Sequence, residues 1–325
     1  MIRALADWRP GASLDHLRKR AQMFATVRTF FAERGVLEVD TPVLAGATAT
    51  DPHLSSIEAD TGLGRAFLQT SPEFAMKRLL AAGSGPIYQL GKCFRAGECG
   101  DRHNPEFTLL EWYRPNFSLE QLKQECLALI EAVIGKRRLI ETDYAALFES
   151  VLGVNPHSAS SAVLVQRAQA VGFGDGVARW ERDELIDLLF SHCVEPSLAS
   201  ESMVLVRDYP AHSAALARIR TDQHGHPVAD RFELYINGLE IANAYHELVD
   251  ANELRERMQV DNRARSASGK PTMPIDERLL AAMSAGLPPC SGIALGVDRL
   301  MMVALEVNQI DQVIAFSHPR VQGAE

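Results

Sequence analysis

The sequence predicts an α+β fold, and three observations carry that expectation. Capped amphipathic helices stand apart from short strand-like runs. Two such runs, Pro86–Leu90 and Phe107–Arg114, flank a polar, glycine-containing turn. A third, Arg231–Ile236, leads into Asn237-Gly238, a dipeptide suited to a tight hairpin.

Taken in order, Ser13 is placed to cap the first helix, which brings Leu17, Ala21, Phe24 and Phe31 near one face before Gly35 ends it. That face is expected to be core or subunit interface. Glu38-Val39-Asp40-Thr41-Pro42 follows as a short strand broken by proline, an edge where a partner subunit can meet the backbone. Ser71-Pro72-Glu73 reads as N-cap, N1 and first-turn acid of a helix running through Met76 and Leu80 to Gly83; on local rules Glu73 simply complements the helix dipole. Ser118-x-x-Gln121 then opens an amphipathic helix through Leu122, Cys126, Leu129 and Val133. Residues 140–200 are expected to be mostly helical and show no chemical pattern. Pro196–Ser202 reads as a polar linker, and Met203–Val206 and Arg231–Ile236 as strands of one sheet. His224 and His226 sit two apart in a turn without a third ligand at recognisable spacing, so they read as a solvated loop.

With 325 residues, 46% of them hydrophobic, the chain can bury a substantial core. The formal net charge of −9 argues against a broad nucleic-acid footprint, which needs a basic surface. Five cysteines (Cys93, Cys99, Cys126, Cys193, Cys290) form an odd set without C-x-x-C spacing, so neither a disulfide framework nor a zinc site is indicated. No apolar run is long enough to span a membrane, and the N-terminus lacks the apolar region of a leader, so a cytoplasmic protein is expected.

Two stretches carry chemistry: FRAGECGDRHNPEFTLLEWY (Phe94–Tyr113) and SGIALGVDRL (Ser291–Leu300). The first sets Arg95 before the turn and Phe107 on the strand after it, so a guanidinium and an aromatic face can meet one nucleotide. The second is a Gly-rich strand running into Asp298-Arg299 and an apolar helix, which offers a second guanidinium for the other face of a base. An adenine is then expected between Phe107 and Arg299. Three further acids, Glu233, Glu240 and Glu247, recur every seven residues in a segment of strand formers. Two adjacent strands can converge such carboxylates on one cleft, and magnesium with a nucleotide needs only one or two.

These strings resemble motifs 2 and 3 of class II aminoacyl-tRNA synthetases, most closely the lysyl branch, with RGVLEVDTPVL around Pro42 resembling motif 1; the similarity runs from about Leu14 to Ser317. About a dozen residues precede the first helix where a lysyl enzyme has an anticodon-binding domain. The resemblance is therefore to the truncated relatives, the elongation factor P β-lysine ligase family. It implies one catalytic domain over residues 1–325, an antiparallel sheet flanked by helices, with a helical insertion near 140–200, and a homodimer through motif 1. It implies ATP-dependent activation of (R)-β-lysine, with α-lysine a weaker substrate, and transfer to elongation factor P rather than tRNA. Residue by residue, it places Arg95 on the α-phosphate, with Gly97, His103, Asn104, Phe107, Ile241, Gly296 and Arg299 around ATP. Glu233 and Glu240 fall to Mg2+, Glu240 also to the nucleotide, and Ser71 and Glu73 to the amino group beside the reacting carboxylate. Asn243 becomes a polar substrate contact, and Glu247 and Tyr113 hold the distal amine. There are departures: Ala96-Gly97 intervene before Glu98, so the motif 2 acid is shifted by one or absent; Ala244 stands for a glycine in a turn; and Ala294 stands for a motif 3 glycine, which fits the protein-modifying relatives and marks it as a selectivity residue. A free-standing tRNA-charging enzyme and an inactive regulatory paralogue remain as alternatives, although Arg95, Arg299, Glu233 and Glu240 are all present.

Overall fold

The computed structural model describes residues 8–200 and 203–322. Residues 1–7 of the stretch read for a leader and residues 201–202 of the expected linker lie outside the described residues. In chain order the elements are α1 (Leu14–Ala32), β1 (Leu37–Glu38), β2 (Leu44–Ala45), β3 (Glu58–Asp60), β4 (Arg65–Leu68), α2 (Glu73–Ala81), β5 (Ile87–Phe94), β6 (Glu106–Pro115) and α3 (Leu119–Ile134). Then come β7 (Ile140–Asp143), α4 (Tyr144–Leu152), α5 (Ser161–Ala170), α6 (Arg182–Leu189), β8 (Met203–Arg207), β9 (Ile219–Thr221), β10 (Pro227–Ala229), β11 (Arg231–Ile236) and β12 (Leu239–His246). The chain closes with α7 (Ala251–Ala267), α8 (Glu277–Gly286), β13 (Cys290–Gly296), α9 (Val297–Leu305) and α10 (His318–Gln322). They form two compact units, one from residues up to Lys136 together with Glu247 onward, the other from Arg137–His246.

In the first unit β5, β6 and β13 pair antiparallel, and the two-residue β1 adds in parallel to β5. Successive side chains of β6 face opposite ways. Its even positions meet the helices of one face, where Trp112 is fully buried against Phe31 of α1 at 5.3 Å between rings and donates its indole N–H to Glu125 of α3 at 3.1 Å. Its odd positions, Phe107, Leu109, Glu111 and Tyr113, line the other face. Directly across the ladder lie Gly296 opposite Leu109, Ala294 opposite Glu111 and Gly292 opposite Tyr113.

Helix α1 begins at the Ser13 cap, whose hydroxyl accepts from the His16 N–H, but its buried stripe is Met23, Val27, Phe30 and Phe31. Ala21 is exposed and Leu17 and Phe24 only half-buried: the sheet side is set by contact with Tyr88 and Trp112, a tertiary choice that the helical period alone leaves open. Helix α2 starts one residue later than expected, with Pro72 as N-cap and no side-chain cap, so Glu73 is its first residue. The Ser118–Gln121 capping box forms with both reciprocal bonds. The proline-broken strand shortens to Leu37–Glu38 because Thr41 gives its N–H to the Gln89 side chain rather than to a ladder partner.

In the second unit β12, β11 and β8 run antiparallel and β7 joins β8 in parallel. Tyr144, Phe148, Leu185, Leu189 and Val194 pack on Val204, Val206 and Tyr235 of the sheet. The expected linker is instead a 3-10 helix over Glu195–Ser200, with Leu198 buried in that core. The hairpin dipeptide behaves as read: Asn237 and Gly238 both take positive φ, 51° and 72°. A Cβ on Gly238 would also stand 2.8 Å from the Ala199 backbone, so only glycine fits. His224 is exposed as expected, whereas His226 is half-buried and stacks on His157 at 4.9 Å. Ala244 lies within β12 opposite Phe232, fully buried, rather than in a turn.

Candidate active site

The first unit buries a charged cluster under the odd face of β6. Helix α2 carries Glu73 and, one turn on, Lys77, so their side chains share a face. Lys77 is fully buried, and its Nζ lies 2.6 Å from Glu73 Oε1 and 2.7 Å from Glu247 Oε2. Glu247 is fixed from its backbone, whose N–H donates to the Cys290 carbonyl at 3.0 Å. Beside it the Tyr113 hydroxyl donates to Glu111 Oε1 at 2.6 Å, while the buried Glu111 Oε2 has no hydrogen-bond partner among the described residues. Gly292 packs between these groups: a Cβ there would stand 2.3 Å from the Tyr113 ring and 2.5 Å from Glu247 Oε1.

Burial dominates the electrostatics. It raises the Glu111 carboxyl to about 8, helped by the like charge of Glu73. It raises Glu247 to about 7 although the Lys77 ammonium pulls the other way. Burial alone would push the Lys77 ammonium down, but Glu247 and Glu73 together carry it above its ordinary value. Tyr113, raised by burial and then by Glu111, keeps its proton and so donates. Three carboxylates and one ammonium in a dry wall form a receptor for further positive charge.

The other end of the same face carries cations and an aromatic ring. Arg95, held by its N–H to the Pro105 carbonyl, sets its guanidinium over Phe107 at 5.0 Å and within 3.7 Å of Glu98, which stands one position beyond the expected motif 2 acid. Gly97 supplies the left-handed turn between them, at φ 80°. Asp298, at the start of α9, accepts from the Thr108 N–H at 2.7 Å and pairs with Arg20 at 2.6 Å, which fixes the helix start against β6. Its neighbour Arg299 donates to His103 Nε2 at 2.6 Å. Burial and then the Arg299 charge lower the His103 value, so the imidazole is neutral and able to accept. Asn104 spends its side chain on the backbone, donating to the Glu106 carbonyl and accepting from the His318 N–H. Ser71 and Gly296 are half-buried at the start of α2 and of α9. Phe107 and Glu111 are four residues apart on β6, about 13 Å along the strand.

The second unit holds the remaining acids. Glu233 lies opposite Asn243, and a register shift between Leu234 and Tyr235 sets Glu240 opposite Tyr235. Regular alternation would turn Glu240 and Asn243, three positions apart, to opposite faces; the bulge absorbs Ile241 and returns both to one face. Ile241 is accordingly buried. Glu233 accepts from Arg231 and Tyr235, and from Tyr209 at 2.6 Å. Burial and then Glu233 raise both phenols, so they remain donors. Arg231 also donates to Asn243 Oδ1 at 3.0 Å. Three of the roughly four lone-pair sites of the Glu233 carboxylate are thus occupied, leaving one, with the half-buried Glu240 on the same face. That donor set fits a magnesium ion shared with nucleotide phosphates, which needs one or two carboxylates. Among the described residues no cluster of three or more His, Cys, Asp or Glu side chains forms a self-sufficient metal site.

Sequence reading passed over Lys77, Glu111, Gly292 and Arg231. Glu111 carried a signal, since it precedes Tyr113 by two on a strand and so shares its face. Lys77 carried only its spacing of four from Glu73, which on most helices marks a solvated pair.

In the first unit, β6 thus carries a guanidinium over an aromatic ring at one end and buried acids at the other. The family model described as tRNA synthetases class II (D, K and N) matches residues 3–320, and the chain belongs to that family. It is 48% identical to a protein of Erwinia tasmaniensis named elongation factor P–(R)-β-lysine ligase, over 97% of this chain and 98% of that one. Proteins of the same name from Proteus mirabilis and Pasteurella multocida are 48% and 47% identical, over 96% and 95% of this chain and 98% and 97% of theirs.

Proposed function

We propose that this chain activates (R)-β-lysine with ATP as an acyl-adenylate and passes the acyl group to a lysine side chain of elongation factor P. The observation that carries the reading is the arrangement along β6. Arg95 and Phe107 stand at one end and the buried acids Glu111 and Glu247, with the half-buried Glu73, at the other, a separation of about 13 Å that suits a nucleotide phosphate joined to a short diamino acid. Relatives that share almost the whole chain are named elongation factor P–(R)-β-lysine ligase, which supports the reading.

In the first step a carboxylate oxygen of the amino acid attacks the α-phosphorus, the bond to the β-phosphate oxygen breaks, and pyrophosphate leaves. Arg95 and Arg299 meet the negative charge that develops on the phosphate, since a guanidinium binds such oxygens through a planar fork. Glu233 and Glu240 are the residues that would hold Mg2+, which neutralises phosphate charge when bound. Glu73 and Ser71 take the amino group near the reacting carboxylate, and Glu247 with Tyr113 takes the distal one. In the second step the acceptor amine attacks the acyl carbon, the carbon–oxygen bond to AMP breaks, and the amine loses a proton. No covalent enzyme intermediate is needed; positioning supplies much of the rate.

A homodimer through the segment around Pro42 completes the reading, with Leu37, Val43 and Leu44 exposed there. No helix of the described residues is long and apolar enough to cross a membrane. ATP–pyrophosphate exchange over a panel of amino acids tests the first step. Exchange driven best by (R)-β-lysine, weakly by α-lysine and not by leucine or glutamate supports the proposal; exchange driven best by a monoamine overturns it.

A further inference from the structure

We infer that Lys77 is a positioning residue of the amino-acid pocket: a resident counter-ion that holds Glu73 and Glu247 in place and trims the charge of the pocket to suit a substrate with two ammonium groups. The inference rests on the function proposed above and names a residue for which that proposal has no use.

Lysine side chains ordinarily keep their ammonium in water and bury only the stem. Lys77 does the opposite, fully buried on a helix, and its ammonium is spanned by two carboxylates at 2.6 and 2.7 Å. Those carboxylates come from places far apart in the chain, the first turn of α2 and the residue bonded to the β13 carbonyl of Cys290. One ammonium therefore fixes the spacing of the two acids to which the proposed function assigns the two amines. A methionine or leucine would fill the same volume without that service, and a buried charge retained at a desolvation cost points to a role in specificity.

Charge counting gives the second half of the argument. Glu73, Glu111 and Glu247 act on one another and on Lys77 across the cluster. As two substrate ammoniums enter they favour the ionised form of Glu111 and Glu247, and three carboxylates less one ammonium then leave two negative charges for the substrate to neutralise. A monoamine would leave one buried charge uncompensated. Burial already drives Glu111 and Glu247 toward the neutral acid in the free pocket, so losing the Lys77 cation would drive them further and weaken the grip on an ammonium.

The test compares wild type, Lys77→Met and the double variant Lys77→Met/Glu111→Gln in ATP–pyrophosphate exchange with (R)-β-lysine. In Lys77→Met the KM for the amino acid should rise by roughly tenfold or more while the KM for ATP moves less than about twofold, because only the amine end has lost charge balance. In the substrate-bound pocket, where the carboxyls must ionise to meet the two ammoniums, the double variant has one acid fewer to ionise and returns to an excess of two negative charges, so it should recover at least about threefold of the lost KM. A packing role for Lys77 predicts the reverse, additive or worse damage in the double variant. An amino-acid KM for Lys77→Met within about twofold of wild type, or a double variant no better than the single, overturns the inference. Failure of both variants to fold, read by circular dichroism and thermal melting, assigns Lys77 to the core and overturns it as well. Absence of exchange by the wild type with any lysine isomer is a different result and counts against the proposed function instead.

Discussion

Replacing Glu247 by Gln probes the amine pocket at its most buried acid. The substitution keeps shape and removes one charge from a site that is 2% exposed. Two consequences separate in size. Lys77 exchanges a charged partner at 2.7 Å for a neutral amide but keeps Glu73 at 2.6 Å, so the stability loss should stay at or below about 3 kcal/mol, the low end of the range for a broken buried pair. The substrate has no such reserve: its distal ammonium would face an amide and the Tyr113 hydroxyl, which already donates to Glu111. Loss of that partner at about 3–5 kcal/mol corresponds to a fall of roughly 10²- to 10³·⁵-fold in kcat/KM for (R)-β-lysine. ATP–pyrophosphate exchange reads the fall, a nucleotide titration should show ATP binding within about twofold of wild type, and a thermal melt should show a folded protein. Exchange within about fivefold of wild type would refute the assignment of Glu247 to the ammonium.

Three other outcomes follow from the same geometry. Gly292→Ala puts a methyl where Tyr113 and Glu247 crowd to 2.3 and 2.5 Å; overpacking of about 1–3 kcal/mol should appear as a lower melting temperature together with a raised amino-acid KM, and an unchanged KM would separate Gly292 from the pocket. Glu111 and Glu247 hold their protons in the fold up to about 8 and about 7 because of burial. The folded state therefore binds more protons than the unfolded chain, whose carboxyls titrate near about 4.3, so this part of the stability is greatest in acid and is lost as pH rises toward about 8. Glu111→Gln should flatten that decline, with a melting temperature that drops less between about pH 5 and pH 8 than in the wild type; a parallel drop would show that Glu111 is ionised throughout. Ala294 lies opposite Glu111 between Gly292 and Gly296, and one methyl is worth about 1–3 kcal/mol of discrimination, so Ala294→Gly should raise α-lysine relative to (R)-β-lysine in kcat/KM. An unchanged ratio would leave selectivity to Ser71 or Glu73.

Much of this was legible beforehand because local chemistry decides it. The Ser118 box, the Asn237-Gly238 hairpin and the strands at Arg231–Ile236 and around Phe107–Arg114 all have short-range causes, and each forms. The face of α1 was read only at Phe31; the rest of the stripe was misplaced because the period permits several stripes and only the Tyr88–Trp112 surface selects one. The meeting of Glu240 with Asn243 on one face depends on a bulge that no residue type announces. Lys77 was invisible for a related reason: a lysine four residues after a glutamate normally reads as two charges in water, and only the approach of Glu247, 170 positions later, makes it a buried bridge.

The central claim is that the activated acyl group goes to a protein amine. Incubation of the full chain with labelled (R)-β-lysine, ATP, Mg2+, elongation factor P and bulk tRNA, followed by alkali treatment and separation of protein from RNA, decides it. The account predicts alkali-stable label on a lysine side chain of elongation factor P and none on tRNA; alkali-labile label on tRNA, with elongation factor P unlabelled, would contradict it.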